Sequence, residues 1–379
     1  MGIIALPAPA IGVFMRDLQA DFGWTRAEIS LGPSILVAIL AMASPLLGWV
    51  ADRFPAPLIA AVSLCALSIT LFLLSRLGPS LWLYYFAFAG MALAASGSAT
   101  LVYARAISAN FRHGRGLALG LAMTGNGLTG ILLPILLVPY AASAGWRDGF
   151  VSLSILVACA VPAVAFLLAY GARPVSDRPP DSAAQASETG MNFDDALRSR
   201  VFWLMAICFI LIPLAVSGMY LHFLPFLADA GVEPAQAGLI ASLTGVSLIA
   251  SRILAGWLID RFFAPYVAAA MMTASAFCIA AMAVFGAPAA ILGAVAIGFS
   301  IGAELDLIGY MTARYFGMRA YGRIYGLLYI AVLAGSALSP LAYGVMVDAT
   351  GSYAASLYSA TVLLLVAAAI FMKMRNFKE

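Results

Sequence analysis

Three ionisable residues, Arg252, Glu304 and Asp306, lie well inside apolar runs of a chain that is 64% hydrophobic and only 10% charged. A charge at the centre of a bilayer costs about 2.5–3.5 kcal/mol on insertion scales, so each needs a partner or a water-filled cavity. A guanidinium presents a planar fork that a carboxylate meets at two points, which makes Arg252 a candidate anion ligand. The competing reading is a structural ion pair with Glu304 or Asp306. Arg252 precedes Asp260 by eight residues, about 12 Å along a helix, too deep for its head to reach the headgroups fully. Glu304 and Asp306 are two residues apart, hence about 200° apart around one helix, and do not face the same cavity. Gly298, Gly302, Asp306 and Tyr310 form an i+4 stripe, and small residues let helices approach closely. Asp306 therefore reads as a packing residue and Glu304 as the proton carrier. The reverse assignment fits the sequence equally well.

The elements that position these groups follow from composition. The chain has 379 residues and a mean hydropathy of +1.00, whereas a soluble domain carries about a quarter charged residues. An ordinary soluble enzyme is excluded. The length leaves room for about twelve membrane-spanning helices of roughly 20 residues each. Apolar runs fall at about 28–51, 57–76, 80–106, 115–139, 149–171, 200–228, 235–259, 264–285, 288–315, 322–347 and 353–374, with a shorter one at 1–15. Each must satisfy its backbone internally in lipid, so all are predicted to be helices. From residue 1 to 14 there are only about 21 Å of helix against a hydrocarbon core near 30 Å, so the first helix is expected to be truncated.

Other chemistries find no residues to carry them. Lys373 and Lys378 are the two lysines, so no Gly-rich phosphate loop ending in Lys exists. Cys65, Cys159, Cys208 and Cys278 are isolated in apolar runs, and His113 and His222 are far apart, which gives neither a disulfide framework nor a zinc site. No catalytic residue, metal, cofactor, nucleotide or nucleic-acid partner is expected, and the chain is expected to act as a monomer.

The chain repeats itself. Gly48-Trp-Val-Ala-Asp52-Arg53 reappears 208 residues later as Gly256-Trp-Leu-Ile-Asp260-Arg261, and Asp21 and Gly23 recur as Asp229 and Gly231. Gly120, Pro134 and Gly145 match Gly326, Pro340 and Gly351 at an offset of 206. Between the repeats, Pro174, Pro179, Pro180 and seven charged residues from Arg173 to Asp195 make a polar linker. The expected division is a six-helix half over 1–172, a cytoplasmic linker over 173–198 and a second six-helix half over 199–379. Parallel repeats of this kind are an architecture of secondary transporters, with the substrate site between the halves. Fifteen Arg and Lys fall on the side of the linker and termini against Arg16, Arg26, Arg76 and Arg147 on the other. Both termini are therefore expected in the cytoplasm, with the chain in the cell (inner or plasma) membrane.

Over essentially its whole length the sequence resembles the major facilitator superfamily. The Gly48…Asp52-Arg53 and Gly256…Asp260-Arg261 turns resemble that superfamily's signature loop between the second and third spans and its echo between the eighth and ninth. Phe-Pro-Ala-Pro stands where the signature usually continues with basic residues. Phe22-Gly-Trp-Thr-Arg26, His222-Phe-Leu-Pro225 with Asp229-Ala-Gly231, and Gly302-Ala-Glu304 through Gly317 resemble the monocarboxylate-porter and oxalate/formate-antiporter branch. The resemblance implies alternating access, a gate at Asp52 and its repeat, and an Arg at the place of Arg252 that binds the anion. The residues themselves allow ordinary anchoring of helix ends for Asp52, Arg53, Asp260 and Arg261.

Weaker candidates complete the set. Asn126, with Thr129, sits among Gly120, Gly127 and Gly130, where helix packing competes with ligand contact. Tyr220 and His222 line the entrance or join the interfacial aromatic belt, to which Trp82, Tyr84 and Tyr85 are assigned. Tyr325 and Tyr329 share a helix face. The expected function is a secondary transporter of a small organic anion, by proton symport or anion exchange. An exporter of amphipathic compounds, with Arg252 structural, is the alternative, and a non-transporting membrane sensor a third.

Overall fold

In a computed structural model of the chain, residues 6–96, 115–171 and 190–374 are described, without the side chains of 7, 8, 44–53, 56, 115–123 and 168–171. Among the described residues there is no strand, and twelve helices have 16 residues or more. They are α1 (Pro7–Phe22), α2 (Arg26–Arg53), α3 (Ala56–Ser75), α4 (Leu81–Ser96), α5 (Arg115–Ala144) and α6 (Trp146–Gly171). After a short helix at Phe193–Arg198 come α7 (Arg200–Asp229), α8 (Pro234–Ile259), α9 (Ala264–Phe285), α10 (Ala290–Phe316), α11 (Tyr321–Thr350) and α12 (Ala354–Met372). Ten are long and apolar enough to cross a membrane, and α4 is a shorter apolar helix. The boundaries follow the apolar runs with one large difference. The first run ends at residue 15, yet α1 continues to Phe22 and carries Arg16, Asp17 and Asp21.

The internal repeat becomes physical at the helix ends. Gly23 and Gly231 sit at φ 69° and 76°, and Gly145 and Gly351 at 85° and 67°. These glycines end α1, α7, α5 and α11 in the left-handed turn that closes a helix and that a Cβ disfavours. Pro134 and Pro340 both lie inside helices. The acids that precede Gly23 and Gly231 also play matching parts. Asp21 accepts from Trp146 Nε1 at 2.9 Å and Arg147 Nη1 at 2.8 Å, while Asp229 pairs with Arg26 and, at 3.8 Å, with Arg16.

Contacts group the described chain into two compact units, Met1–Val175 with Leu221–Gly245, and Ser176–Tyr220 with Val246–Glu379. In the first, α3 packs on α6 and α4, and α2 on α4. Ser68 Oγ and Ser154 Oγ each donate to the other's backbone carbonyl across α3 and α6, at 2.9 Å. Lipid supplies no hydrophobic drive between helices, so such hydrogen bonds and close packing hold the fold. Tyr84 corrects the expectation of an aromatic belt: it is fully buried and donates to Ile29 O at 2.7 Å, joining α4 to α2. Trp82 is 74% exposed, in keeping with a belt position.

In the second unit, α9 packs on α12 and α10, the repeat of α3 on α6 and α4. The Ser339 hydroxyl of α11 donates to Leu214 O and accepts from Gly218 N, both at 2.6 Å. Those two backbone groups of α7 are the acceptor and donor that an unbroken helix would pair with each other, so a side chain is inserted into the ladder, one of the recognised causes of a bend. Ahead of α7, Met191 N donates to Phe316 O at 2.8 Å and ties the start of the short helix to the end of α10.

The Asp229 cluster gives a first expected result. Arg26 is 11% exposed at its side chain, so replacing Asp229 by Asn leaves a guanidinium in partial burial without its carboxylate. A loss of about 1–3 kcal/mol, between the values for exposed and buried pairs, should appear as a lowered thermal midpoint in detergent. Asp21→Asn, at an open surface, should shift the midpoint less; equal shifts would show that burial of Arg26 does not set the difference.

Candidate functional site

The crossing of α8 and α10 is fastened by a pair of serines one turn apart. Ser247 Oγ donates to Val295 O at 2.7 Å and Ser251 Oγ to Phe299 O at 2.6 Å. One turn further along α10, a Cβ on Gly302 would meet Leu248 O at 2.5 Å and Ser251 Cβ at 2.9 Å. The two backbones are therefore in contact here, and the next residues along, Arg252 and Asp306, are brought side by side. Arg252 Nη1 lies 3.6 Å from Asp306 Oδ1, with side chains 16% and 35% exposed. That separation is an ion pair beyond hydrogen-bond length. Arg252 Nε is buried and has no hydrogen-bond partner. The guanidinium is thus paired in charge but under-satisfied in donors, which is costly in low dielectric.

Glu304 takes a different place on the same helix. It is 5% exposed, and its Oε1 has no hydrogen-bond partner. Ser300 Oγ, one turn earlier, is likewise buried without one. Both groups lie on one stripe of α10, and buried polar atoms in proteins ordinarily have a protein or water partner. The structure pairs Arg252 with Asp306 and leaves Glu304 apart from it, as the 200° separation requires.

Three tyrosines of α11 complete the surroundings. Tyr321 and Tyr325 stack with ring centroids 5.8 Å apart and planes 23° apart, and Tyr325 and Tyr329 at 6.1 Å and 12°. The ladder lies on α10 at Gly309, where a Cβ would sit 3.3 Å from Tyr321 Oη and 3.9 Å from Tyr325 Cε2. Gly309 is three residues past Asp306 and so on the same side of α10. Sequence reasoning paired Tyr325 with Tyr329 but missed Tyr321; the i, i+4, i+8 spacing was the available signal.

The remaining candidates are placed as follows. His222 is fully buried, with Nε2 2.9 Å from Ser30 Oγ on α2, so it is interior rather than part of an interfacial belt. Tyr220 is half-buried on α7, and Asn126 half-buried on α5. Beside Asn126, a Cβ on Gly245 of α8 would meet Gly127 O and Ile131 N at 2.5 Å, the close approach that the glycines of α5 permit. Gly256 has open space around it, and Asp260 and Arg261 are exposed at the end of α8. Arg261 turns back on its own helix, donating to Trp257 O at 3.0 Å and covering the Trp257 ring at 4.3 Å. Gly48, Asp52 and Arg53 lie at the end of α2, with side chains outside the described residues, as are Arg105, Arg112, His113, Arg173 and Arg178. An apolar groove of about 520 Å³, lined mainly by leucines of α5 and α6, contains none of the ionisable candidates.

Among the described residues, twelve long helices and a repeat that reaches the caps and prolines fit the repeated architecture of secondary transporters. The profile of the Major Facilitator Superfamily matches residues 2–304 and 219–378. The chain belongs to that superfamily. As a superfamily member it is a multi-pass secondary transporter and not an enzyme. It is 26% identical to Monocarboxylate transporter 11 of Mus musculus, over 96% of this chain and 82% of that one. It is also 26% identical to Monocarboxylate transporter 13 of Bos taurus, over 97% and 85%. Among solved structures, a bacterial homologue of the human lysosomal transporter Spinster, inward-facing and unoccupied, superposes with a TM-score of 0.75. That match has 18% identity and covers 98% of this chain and 93% of the other, which shows a shared fold.

Gly302 offers a test of how the superfamily scaffold positions the pair. Gly302→Val should push α10 off Leu248 O, lower stability by about 1–3 kcal/mol, and reduce transport more than Gly90→Val on α4, which meets open space. Equal effects in thermal melts and uptake would show that the crossing does not position the site.

Proposed function

We propose that this transporter carries small organic anions of the monocarboxylate kind, by proton symport or anion exchange, with Arg252 as the anion ligand. The observation that supports this is the half-buried guanidinium whose buried Nε lacks an acceptor and whose charged neighbour Asp306 stands at 3.6 Å. A carboxylate would supply two short, charge-assisted hydrogen bonds in place of a loose pair. Asp306 holds the charge of Arg252 in the empty site and releases it when substrate arrives. Glu304 carries the coupling proton, protonated in the low-dielectric stripe with Ser300 and ionised when water reaches it.

The rest of the mechanism is assigned in the same spirit. Tyr220, His222 and Asn126 contribute to the substrate path. The repeats over 1–172 and 199–379, joined by a cytoplasmic linker over 173–198, alternate access, with Gly48, Asp52, Arg53, Gly256, Asp260 and Arg261 as the gate. The excess of Arg and Lys on one set of loops supports cytoplasmic termini in the cell membrane, and the chain works as a monomer. Ligand that binds the folded state raises the thermal midpoint. Lactate or pyruvate should therefore stabilise the purified protein in a saturable way, and Arg252→Ala should remove that shift. Stabilisation that persists in Arg252→Ala would remove the anion site from this Arg.

A further inference from the structure

The tyrosine ladder of α11 is not needed to grip a small aliphatic acid, and its geometry says more about the cargo. Tyr321, Tyr325 and Tyr329 hold near-parallel rings at 5.8 and 6.1 Å, in the offset-stacked arrangement that aromatic pairs prefer. Among the described rings Tyr329 stacks on Tyr325 alone, so the ladder ends in a ring whose second face has no aromatic partner. The ladder lies against α10 at Gly309, where a Cβ would sit 3.3 Å from Tyr321 Oη and 3.9 Å from Tyr325 Cε2. Gly309 is three residues past Asp306, so the ladder packs on the side of α10 that carries Asp306 and, through it, Arg252. All three tyrosines are half-buried rather than sealed, so they are packed yet keep accessible surface.

We infer that the site selects planar aromatic carboxylates: the carboxylate exchanges with Asp306 on Arg252, and the aryl ring extends the ladder on the face of Tyr329 away from Tyr325. This rests on the anion reading above and deepens it. A ring stacked on Tyr329 gains the attraction specific to aromatic pairs, which an equally large saturated ring lacks.

The test compares labelled benzoate with labelled cyclohexanecarboxylate, similar in size and charge but without a π face, in proteoliposomes of the full chain. The wild type should show a KM for benzoate about two- to tenfold lower, the range expected of one aromatic contact. Tyr329→Phe should keep that preference, and Tyr329→Leu should lose it while still carrying cyclohexanecarboxylate. Thermal melts of both variants report whether they fold. Equal KM values in the wild type and in well-folded Tyr329→Phe, or a preference that survives Tyr329→Leu, would overturn the aromatic subsite and leave the anion reading intact. Wild-type rates for both acids in Arg252→Ala would instead overturn the anion reading itself, and the subsite with it.

Discussion

Arg252→Ala is expected to abolish uptake of organic anions in a protein that still inserts and folds. Truncating one partner of a desolvated charge pair costs about 2–5 kcal/mol, so the affinity for substrate should fall by about two orders of magnitude or more. Arg252→Lys keeps the charge but loses the planar fork and the Nε donor that lacks an acceptor, so transport should fall steeply rather than survive. A purely structural ion pair forecasts something else. Arg252→Ala would then strand Asp306, 35% exposed, and expression and thermal stability would drop. Adding Asp306→Asn would restore both, because removing both charges relieves the uncompensated one. The structure makes Asp306, not Glu304, the partner to replace in that double variant. Expression level, melting temperature and uptake, measured on the three proteins, separate the two accounts.

Glu304→Gln is expected to split coupling from translocation. The amide cannot release a proton, so accumulation driven by a pH gradient should fall by about tenfold or more, in line with loss of a membrane-buried proton group. Exchange of one anion for another needs no net proton movement and should persist. Stability should hold or rise, since a neutral amide suits a site where Oε1 is buried without a partner. Asp306→Asn serves as the internal control: if it, and not Glu304→Gln, separates gradient-driven uptake from exchange, the proton belongs to Asp306. Parallel measurements of gradient-driven uptake and counterflow decide the point.

Much of this architecture is legible in the sequence because membranes impose long apolar runs and because the chain repeats. The matched glycines at 23 and 231, and at 145 and 351, were visible as a spacing, and their physical reason is the positive φ of helix caps. The deep Arg252 and the opposed Glu304 and Asp306 were also legible, since helical period alone sets the angle between the acids. Which acid meets Arg252 was not, because that depends on the Ser247 and Ser251 bonds that fix the α8 and α10 register. Helices apolar on all sides carry little amphipathic signal to reveal which face meets a neighbour. The same lack of signal placed Tyr84 in an aromatic belt when it is buried against α2. The end of α1 was missed for another reason: the apolar run stops at residue 15, but the helix continues through Arg16, Asp17 and Asp21 to Phe22, where Gly23 caps it.

The central claim is that this chain moves organic anions through a site built on Arg252. Counterflow tests it most directly: proteoliposomes of the purified protein, preloaded with unlabelled benzoate or lactate, take up the labelled acid from dilute external solution. Transient accumulation of label in the wild type, absent from Arg252→Ala at equal incorporation, is the predicted result. Saturable binding without any accumulation, or counterflow undiminished in Arg252→Ala, would contradict it.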